Sequence, residues 1–191
     1  MLTFWESDSG DKGAYAELDP TYQARYEILG IISYGKRGAS IKCERKTNGM
    51  TVALRACLLE TIDSYDDEEF HKLSKEVRTL SNLHHPNMVY LFDVFQGEVN
   101  KSFYFELEYY DKLSCLYQKI IGQKGKDNLF KEHEIVPVIR QISSAAKYLH
   151  DNGVVHGAIK SRNIFYKNKY EVVISDFMVP RFRFKYIQLS H

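Results

Sequence analysis

The chain has 191 residues, 44% of them hydrophobic and 27% charged, with a formal net charge of +1. These values are typical of a globular domain, and the near-zero charge excludes a long-range electrostatic attraction to nucleic acid or to an acidic membrane surface. The three cysteines, Cys43, Cys57 and Cys115, are odd in number and widely spaced, which disfavours a disulfide framework or a zinc site and is typical of free thiols in a reducing compartment.

Residues 1–24 are rich in Gly, Asp, Ser and Tyr and show no apolar periodicity, so we expect a flexible N-terminal segment. They lack the basic start and the apolar stretch of a signal peptide. No run in the chain approaches the ~20 apolar residues that a membrane helix needs. The sequence therefore predicts a cytoplasmic protein without a membrane partner.

Apolar and β-branched residues predict five strands in the first half of the chain. The strands are expected at Tyr26–Ile32, Ala39–Arg45, Thr51–Leu58, Val89–Phe95 and Ser102–Glu108. Between the third and fourth strands, Asp66–Leu83 is predicted to be a helix because its apolar residues recur at helical spacing, and Pro86 ends it.

Helices dominate the second half. A short helix is expected at Leu113–Ile121 and a long one at Glu132–Asn152, with Gly153 as its C-terminal cap. The long helix carries an apolar stripe formed by Ile135, Val138, Ile139, Ile142, Ala145, Ala146 and Leu149. Short strands are expected at Val154–Val155, Ile164–Tyr166 and Val172–Ser175. This order predicts a two-lobed α+β domain with a crossover near residues 108–111.

Three motifs in this order resemble the protein kinase family. His156, Lys160 and Asn163 stand at the spacing of the catalytic loop His-Arg-Asp-x-Lys-x-x-Asn, Val52-Ala53-Leu54-Arg55 resembles Val-Ala-x-Lys, and Asp176-Phe177-Met178 resembles Asp-Phe-Gly. The resemblance runs from about Tyr26 to Phe177. It implies a protein kinase-like two-lobe fold: a five-stranded antiparallel N-lobe sheet plus one helix in residues 25–109, and an incomplete helical C-lobe in residues 110–191.

The same resemblance implies a nucleotide site. Gly35 and Gly38 match two glycines of the loop that covers the phosphates. Arg55 replaces the phosphate-binding lysine with a planar fork of donors, and Glu76 matches its helix partner, although an Arg55–Glu76 pair that serves the fold alone is an equal alternative. The residues assigned to nucleotide binding are Gly35, Gly38, Ala53, Arg55, Glu76, Leu107, Glu108, Tyr110, Lys160, Asn163, Phe165 and Asp176.

The catalytic position is the main departure from the family. Ala158 stands where the family has the aspartate that accepts or orients the substrate proton, so no catalytic residue is assigned, and a positioned base typically contributes ~10²–10⁴-fold. Asn163 and Asp176 keep the oxygen ligands that Mg²⁺ prefers. Ser40 and Phe165 argue against tight adenine packing. We expect catalysis to be lost or vestigial, with ATP and Mg²⁺ as the one cofactor the site suits.

Four positions of the family's packing spine hold suitable side chains, namely Leu80, Leu91, His156 and Phe177. A chain that keeps packing groups and drops catalytic ones is expected to be a pseudokinase, a scaffold or regulatory binding module for a protein partner in signalling. One alternative is an atypical active serine/threonine or tyrosine protein kinase with a substitute carboxylate.

Asp151 and Glu171 are the carboxylates nearest to the loop in sequence, but neither has the right offset for such a substitute. A third interpretation is a truncated product, because kinase domains continue well past the Asp-Phe-Gly element and this chain stops at His191. Much of the long helix's apolar stripe would then face water.

Overall fold

The computed structural model describes residues 20–35, 38–57, 75, 80–96, 103–122 and 130–177. Most of the predicted helix Asp66–Leu83 lies outside these ranges. Of its described residues, Lys75, Leu80 and Ser81 are helical, whereas Asn82 and Leu83 are not, so the helix ends two residues earlier than predicted.

Five antiparallel strands form the first lobe, which confirms the predicted sheet. They are β1 (Tyr26–Gly35), β2 (Gly38–Arg45), β3 (Thr51–Cys57), β4 (Leu91–Gln96) and β5 (Phe103–Glu108). Their spatial order is β1-β2-β3-β5-β4. Strand β4 begins two residues later than predicted, because Met88 lies in a parallel bridge opposite Ile174 of the second lobe and the Val89 amide donates to Ile174 O.

A helix that the sequence did not predict precedes the sheet. Helix α1 (Pro20–Arg25) opens with a proline, which suits the first helical turn. Its Tyr22 is fully buried on the outer face of the sheet, where its hydroxyl lies 2.8 Å from the Cys43 sulfur and its ring 5.7 Å from that of Tyr104. The prediction of a flexible segment over residues 1–24 is therefore wrong for residues 20–24, because burial of one large aromatic side chain fixes them; residues 1–19 lie outside the described part.

The second lobe contains two helices and one small sheet. Helices α2 (Leu116–Gly122) and α3 (Glu132–Asp151) are followed by the antiparallel pair β6 (Ile164–Tyr166) and β7 (Val172–Ile174). Two short 3-10 helices cover Lys112–Ser114 and Ser161–Asn163. The first takes the start of the helix predicted at Leu113, because Asp111 caps it through a 2.8 Å bond to the Leu113 amide.

The predicted strand Val154–Val155 is wrong. The Val154 amide donates to Leu149 O at 2.8 Å, so this backbone closes the end of α3 instead of pairing with a strand. Gly153 has φ +70°, a left-handed conformation that glycine adopts without steric cost, in agreement with its predicted role as the cap.

The apolar stripe of α3 divides into two parts. Val138, Ile142, Ala145 and Leu149 are buried, whereas Ile135 and Ile139 are 40% and 54% exposed. Among the described helices, none is long and apolar enough to cross a membrane.

One continuous core joins the two lobes. Leu80 and Leu91 of the first lobe and Phe177 of the second pack in the same buried cluster, and His156 beside them is 1% exposed. The four predicted spine positions are thus all buried. Burial of large side chains across this joint holds the lobes in one arrangement.

A hydrogen-bonded turn reinforces the joint. The Asn87 side-chain amide donates to Gln141 Oε1 of α3 at 2.7 Å and to Val172 O of β7 at 2.9 Å. The Ile174 amide donates back to Asn87 O at 2.9 Å. These contacts fix the turn before β4 against α3 and β7, next to the segment in which the site lies.

Candidate functional site

The glycine stretch forms the tip of the β1–β2 hairpin. Gly35 pairs with Gly38 and Ser33 pairs with Ser40, so the strand register reaches the two glycines predicted to cover phosphates. Residues 36 and 37 lie outside the described ranges. The pairing of glycine with glycine keeps the backbone here free of side-chain bulk.

Arg55 on β3 is bonded to the second lobe. Its Nη1 donates to Asp176 Oδ1 in a short ion pair, with the two side chains 19% and 27% exposed. Glu76, the predicted partner of Arg55, lies outside the described residues. Asp176, which we predicted as a metal ligand, is therefore also an ion-pair partner of the cation predicted to bind phosphates. Sequence reasoning missed this link.

The backbone at Asp176 turns its carboxylate toward β3. Its φ is +66°, a left-handed conformation that aspartate tolerates better than most residues. The residues on either side hold it, since the Ser175 amide donates to Asn163 O at 2.8 Å and Phe177 is 1% exposed. Such a conformation in a packed surrounding is a common mark of a binding or catalytic site.

The loop between His156 and Asn163 is held by its own polar atoms. The Ala158 amide donates to His156 Nδ1 at 3.2 Å, and Asn163 Nδ2 donates to Ala158 O at 2.9 Å. Burial lowers the pKa of His156, against the opposing effect of backbone carbonyls and Asp176, which favours a neutral ring that accepts at Nδ1. Its Nε2 has no hydrogen-bond partner within the described ranges.

The Ala158 position offers a methyl group in place of a carboxylate, as the sequence predicts. The two acidic residues considered as substitutes are occupied: Asp151 pairs with Lys147 Nζ at 2.6 Å, and Glu171 Oε2 accepts from Asn168 Nδ2 at 2.6 Å. Both are exposed. Gly157 has φ +67° and presents no side chain.

Strand register brings together the predicted nucleotide-binding residues of β3 and β5. Ala53 lies opposite Leu107 and Val52 opposite Glu108, and Leu107 is 8% exposed. These pairings place three of the predicted residues, Ala53, Leu107 and Glu108, on adjoining strands.

Two aromatic residues from different elements meet beyond the strands. The rings of Tyr110 and Phe165 are 5.8 Å apart, and both pack against the shared core. Burial, and then the nearby Glu108 carboxylate, raise the pKa of Tyr110. The bulky Phe165 is thus directed at least partly into the protein's own packing. Lys160, by contrast, is exposed and forms no ion pair with another described residue.

Asn163 and Asp176 offer a ligand set that suits Mg²⁺. The Ser175–Asn163 backbone bond holds their segments together. Asn163 uses its amide nitrogen for Ala158 O, which leaves Oδ1, and Asp176 gives one oxygen to Arg55, which leaves Oδ2. Hard oxygen atoms from one or two side chains, completed by phosphates and water, are the usual Mg²⁺ environment. Within the described ranges, three or more His, Cys, Asp or Glu side chains nowhere come together in a group that could hold a metal ion.

Comparison with known proteins finds similarity to protein kinases over most of the chain. A family model described as "Protein kinase domain" matches residues 26–182. The chain is 31% identical over 157 residues to the serine/threonine-protein kinase Nek1 of Mus musculus, covering 82% of this chain and 12% of that protein.

Two other relatives match a similar part of the chain. It is 28% identical over 153 residues to NUAK family SNF1-like kinase 1 of Homo sapiens, covering 80% of this chain and 22% of that protein. It is also 28% identical over 158 residues to cyclin-dependent kinase-like 4 of Mus musculus, covering 82% and 43%. The chain thus spans less than half the length of each of these relatives.

Proposed function

The chain belongs to the protein kinase family, and from this we propose that it is a catalytically inactive, kinase-like binding module that acts as a scaffold or regulator for a protein partner. We propose further that it retains a weak site for ATP with Mg²⁺. The single observation that carries the proposal is the methyl group of Ala158 at the position of the family's catalytic carboxylate.

The chemistry follows from what the loop lacks. A substrate hydroxyl needs an acceptor for its proton as the phosphoryl group transfers, and a positioned one contributes ~10²–10⁴-fold. Ala158 contributes only backbone atoms, both already bonded within the loop. Asp151 and Glu171 are bonded to Lys147 and Asn168, so neither supports the alternative of an atypical active kinase.

The proposed nucleotide site keeps a cation and a carboxylate, Arg55 and Asp176, but has no catalytic aspartate. Bound Mg²⁺ would neutralise phosphate charge, with Asn163 Oδ1 and Asp176 Oδ2 as its protein ligands. Arg55 would then turn from Asp176 to the phosphates, where its planar fork suits two oxygens better than the single contact of a lysine. Displacing that ion pair costs free energy, which supports weak binding.

The test is a transfer assay with a matched background. Purified chain is incubated with γ-labelled ATP, Mg²⁺ or Mn²⁺ and a mixture of serine, threonine and tyrosine peptides, beside the Asp176→Asn variant. We expect equal label in both samples. Transfer above that of Asp176→Asn would overturn the proposed inactivity.

A thermal-shift titration tests nucleotide binding separately. A ligand that binds only the folded state stabilises it by ~2.7 kcal/mol at a concentration of 100 Kd, which for a domain of this size raises the unfolding midpoint by roughly 5–10 °C. We expect a measurable shift at millimolar ATP with Mg²⁺. If ATP gives no shift with Mg²⁺ or with Mn²⁺, nucleotide binding is removed from the proposal and only the scaffold role is left.

A further inference from the structure

Four basic side chains of the second lobe lie on elements that pack together, and we name them the basic face: Lys119, Arg162, Lys167 and Lys169. Lys119 belongs to α2 and Arg162 to the 3-10 helix Ser161–Asn163. Lys167 follows β6 directly, and Lys169 lies in the turn to β7. Two ring contacts join these elements, because Arg162 lies over Tyr117 of α2 and Lys119 over Tyr166 of β6.

The basic face lacks the charge partners found elsewhere in the molecule. The ion pairs of the described residues join Arg25 to Asp93, Arg45 to Glu106, Arg55 to Asp176 and Lys147 to Asp151, and none involves this face. Within the part of the chain that the structure describes, its cations therefore have no acidic partner, although the whole chain has a net charge of only +1.

Two carboxylates on or beside these elements are already hydrogen-bonded. Glu134, which after burial contributes to the raised pKa of Tyr166, accepts from the Lys131 amide at 3.0 Å. Glu171 accepts from the Asn168 side chain at 2.6 Å. Both carboxylates thus bond to uncharged donors. Arg162, Lys167 and Lys169 are exposed and Lys119 is half-buried, and among the described residues no acidic side chain forms an ion pair with any of the four.

Two of the cations are held in fixed positions. The Lys119 ammonium is 3.4 Å from the centre of the Tyr166 ring, and the Arg162 guanidinium carbon is 3.6 Å from that of Tyr117. A cation over an aromatic ring gains electrostatic attraction. A side chain held in this way has less conformational freedom to lose on binding, which favours docking of a ligand.

We propose that the basic face docks an acidic segment of a partner protein, rich in aspartate and glutamate. This deepens the proposed function, on which it rests, by assigning the scaffold a surface and a partner chemistry. A single-stranded nucleic acid fits less well, because such sites offer open aromatic faces for base stacking, and here cations cover faces of Tyr117 and Tyr166.

The experiment measures fluorescence anisotropy of the full chain with a fluorescein-labelled peptide of alternating Glu and Gly, in the absence of nucleotide. A peptide of alternating Gln and Gly is the uncharged probe. We expect binding of the Glu peptide alone, weakening as salt is raised toward 0.5 M because exposed charges are screened.

Variants locate the binding. Each exposed charge contact is worth up to about fivefold in affinity, so Lys119→Gln with Arg162→Gln is expected to raise the Kd about tenfold. The control Arg140→Gln with Lys147→Gln changes net charge equally on α3 and is expected to change the Kd by less than about twofold. Lys119→Arg with Arg162→Lys should restore the wild-type value.

Three results would overturn the proposal: an equal loss in the α3 control, no preference for the Glu peptide, or tighter and equally variant-sensitive binding of poly-uridylate or phosphatidylserine vesicles. If the glutamine variant unfolds at a lower temperature than the wild type, Lys167→Glu with Lys169→Glu in the exposed turn replaces it, with the same tenfold criterion. Because no nucleotide is present, failure here is distinct from failure of the transfer and thermal-shift tests.

Discussion

The ion pair between Arg55 and Asp176 ties β3 to the segment after β7, and its removal tests the site directly. With 19% and 27% of the two side chains exposed, the pair lies between a surface pair and a buried one. Exposed pairs contribute ~0–1 kcal/mol, and breaking a buried pair costs ~3–5 kcal/mol. Asp176→Asn keeps the size of the side chain and removes its charge. We therefore expect a loss of about 2 kcal/mol in the free energy of unfolding, or roughly 4–8 °C in the midpoint.

The assay is a double-mutant cycle of Asp176→Asn and Arg55→Met by urea unfolding. Interacting neighbours show coupling of ~0.5–3 kcal/mol, whereas independent sites add within ~0.3–0.5 kcal/mol. The matched control is Lys147→Met with Asp151→Asn, a pair with 74% and 59% exposure, for which ~0.5 kcal/mol or less is expected. Additive effects of the Arg55 and Asp176 changes would refute the pair.

The same variant has a consequence for ligand binding. To bind ATP without metal, Arg55 must leave Asp176, and the phosphates then lie against an unpaired carboxylate, so we expect Mg²⁺ to raise the affinity of the wild type for ATP. In Asp176→Asn the repulsion is absent and Arg55 is free, so ATP alone should bind more tightly and Mg²⁺ should add little. An unchanged Mg²⁺ dependence in this variant would show that Asp176 does not face the phosphates.

Asn87→Ala removes two hydrogen bonds at the joint between the lobes and is expected to cost about 2 kcal/mol in urea unfolding; a loss under ~0.5 kcal/mol would contradict the joint. Tyr22→Ala is expected to cost ~3–5 kcal/mol and Tyr22→Phe only ~1 kcal/mol, so two equally small losses would refute the packing of α1. Burial raises the pKa of Cys43 from 9.0 to about 11. The neutral thiol therefore stabilises the fold fully below pH 9, and this stabilisation is lost as the pH rises to 11. In Cys43→Ala, the free energy of unfolding should fall less steeply between pH 9 and pH 11. Burial lowers the pKa of His85 from 6.5. The neutral ring therefore stabilises the fold above pH 6.5, and this stabilisation is lost as the pH falls. In His85→Gln, the free energy of unfolding should fall less steeply below pH 6.5.

Packing is the part of the structure that could be predicted from the sequence. The strands of the first lobe follow from local alternation, as where Val52 and Leu54 are both fully buried on one face of β3. The long helix follows from its 3.6-residue period, and Gly153 ends it as predicted. These signals lie within a few residues of one another, so a single chain displays them.

Long-range contacts could not be predicted in the same way. Arg55 and Asp176 are 121 residues apart in sequence, and the residues around each of them give no signal that the two side chains pair. Tyr22 belongs to a helix of only six residues, too short to show a period, and tertiary burial fixes it. Val154 and Val155 favour a strand by propensity, yet the backbone bond from Val154 to the end of α3 prevails.

The conformation of the loop at Ala158 does not depend on the side chain at that position. Its form depends on the Ala158 amide bonded to His156 and the Ala158 carbonyl bonded to Asn163, and any residue other than proline supplies both atoms. Replacing a carboxylate with a methyl group there removes the proton acceptor but none of the bonds that hold the loop. The buried His156 and Phe177 act through their side chains, so a comparable truncation would open a cavity in the shared core. Replacing the carboxylate is therefore expected to cost little stability, and under the proposed function the kinase-like surface then remains available to a partner.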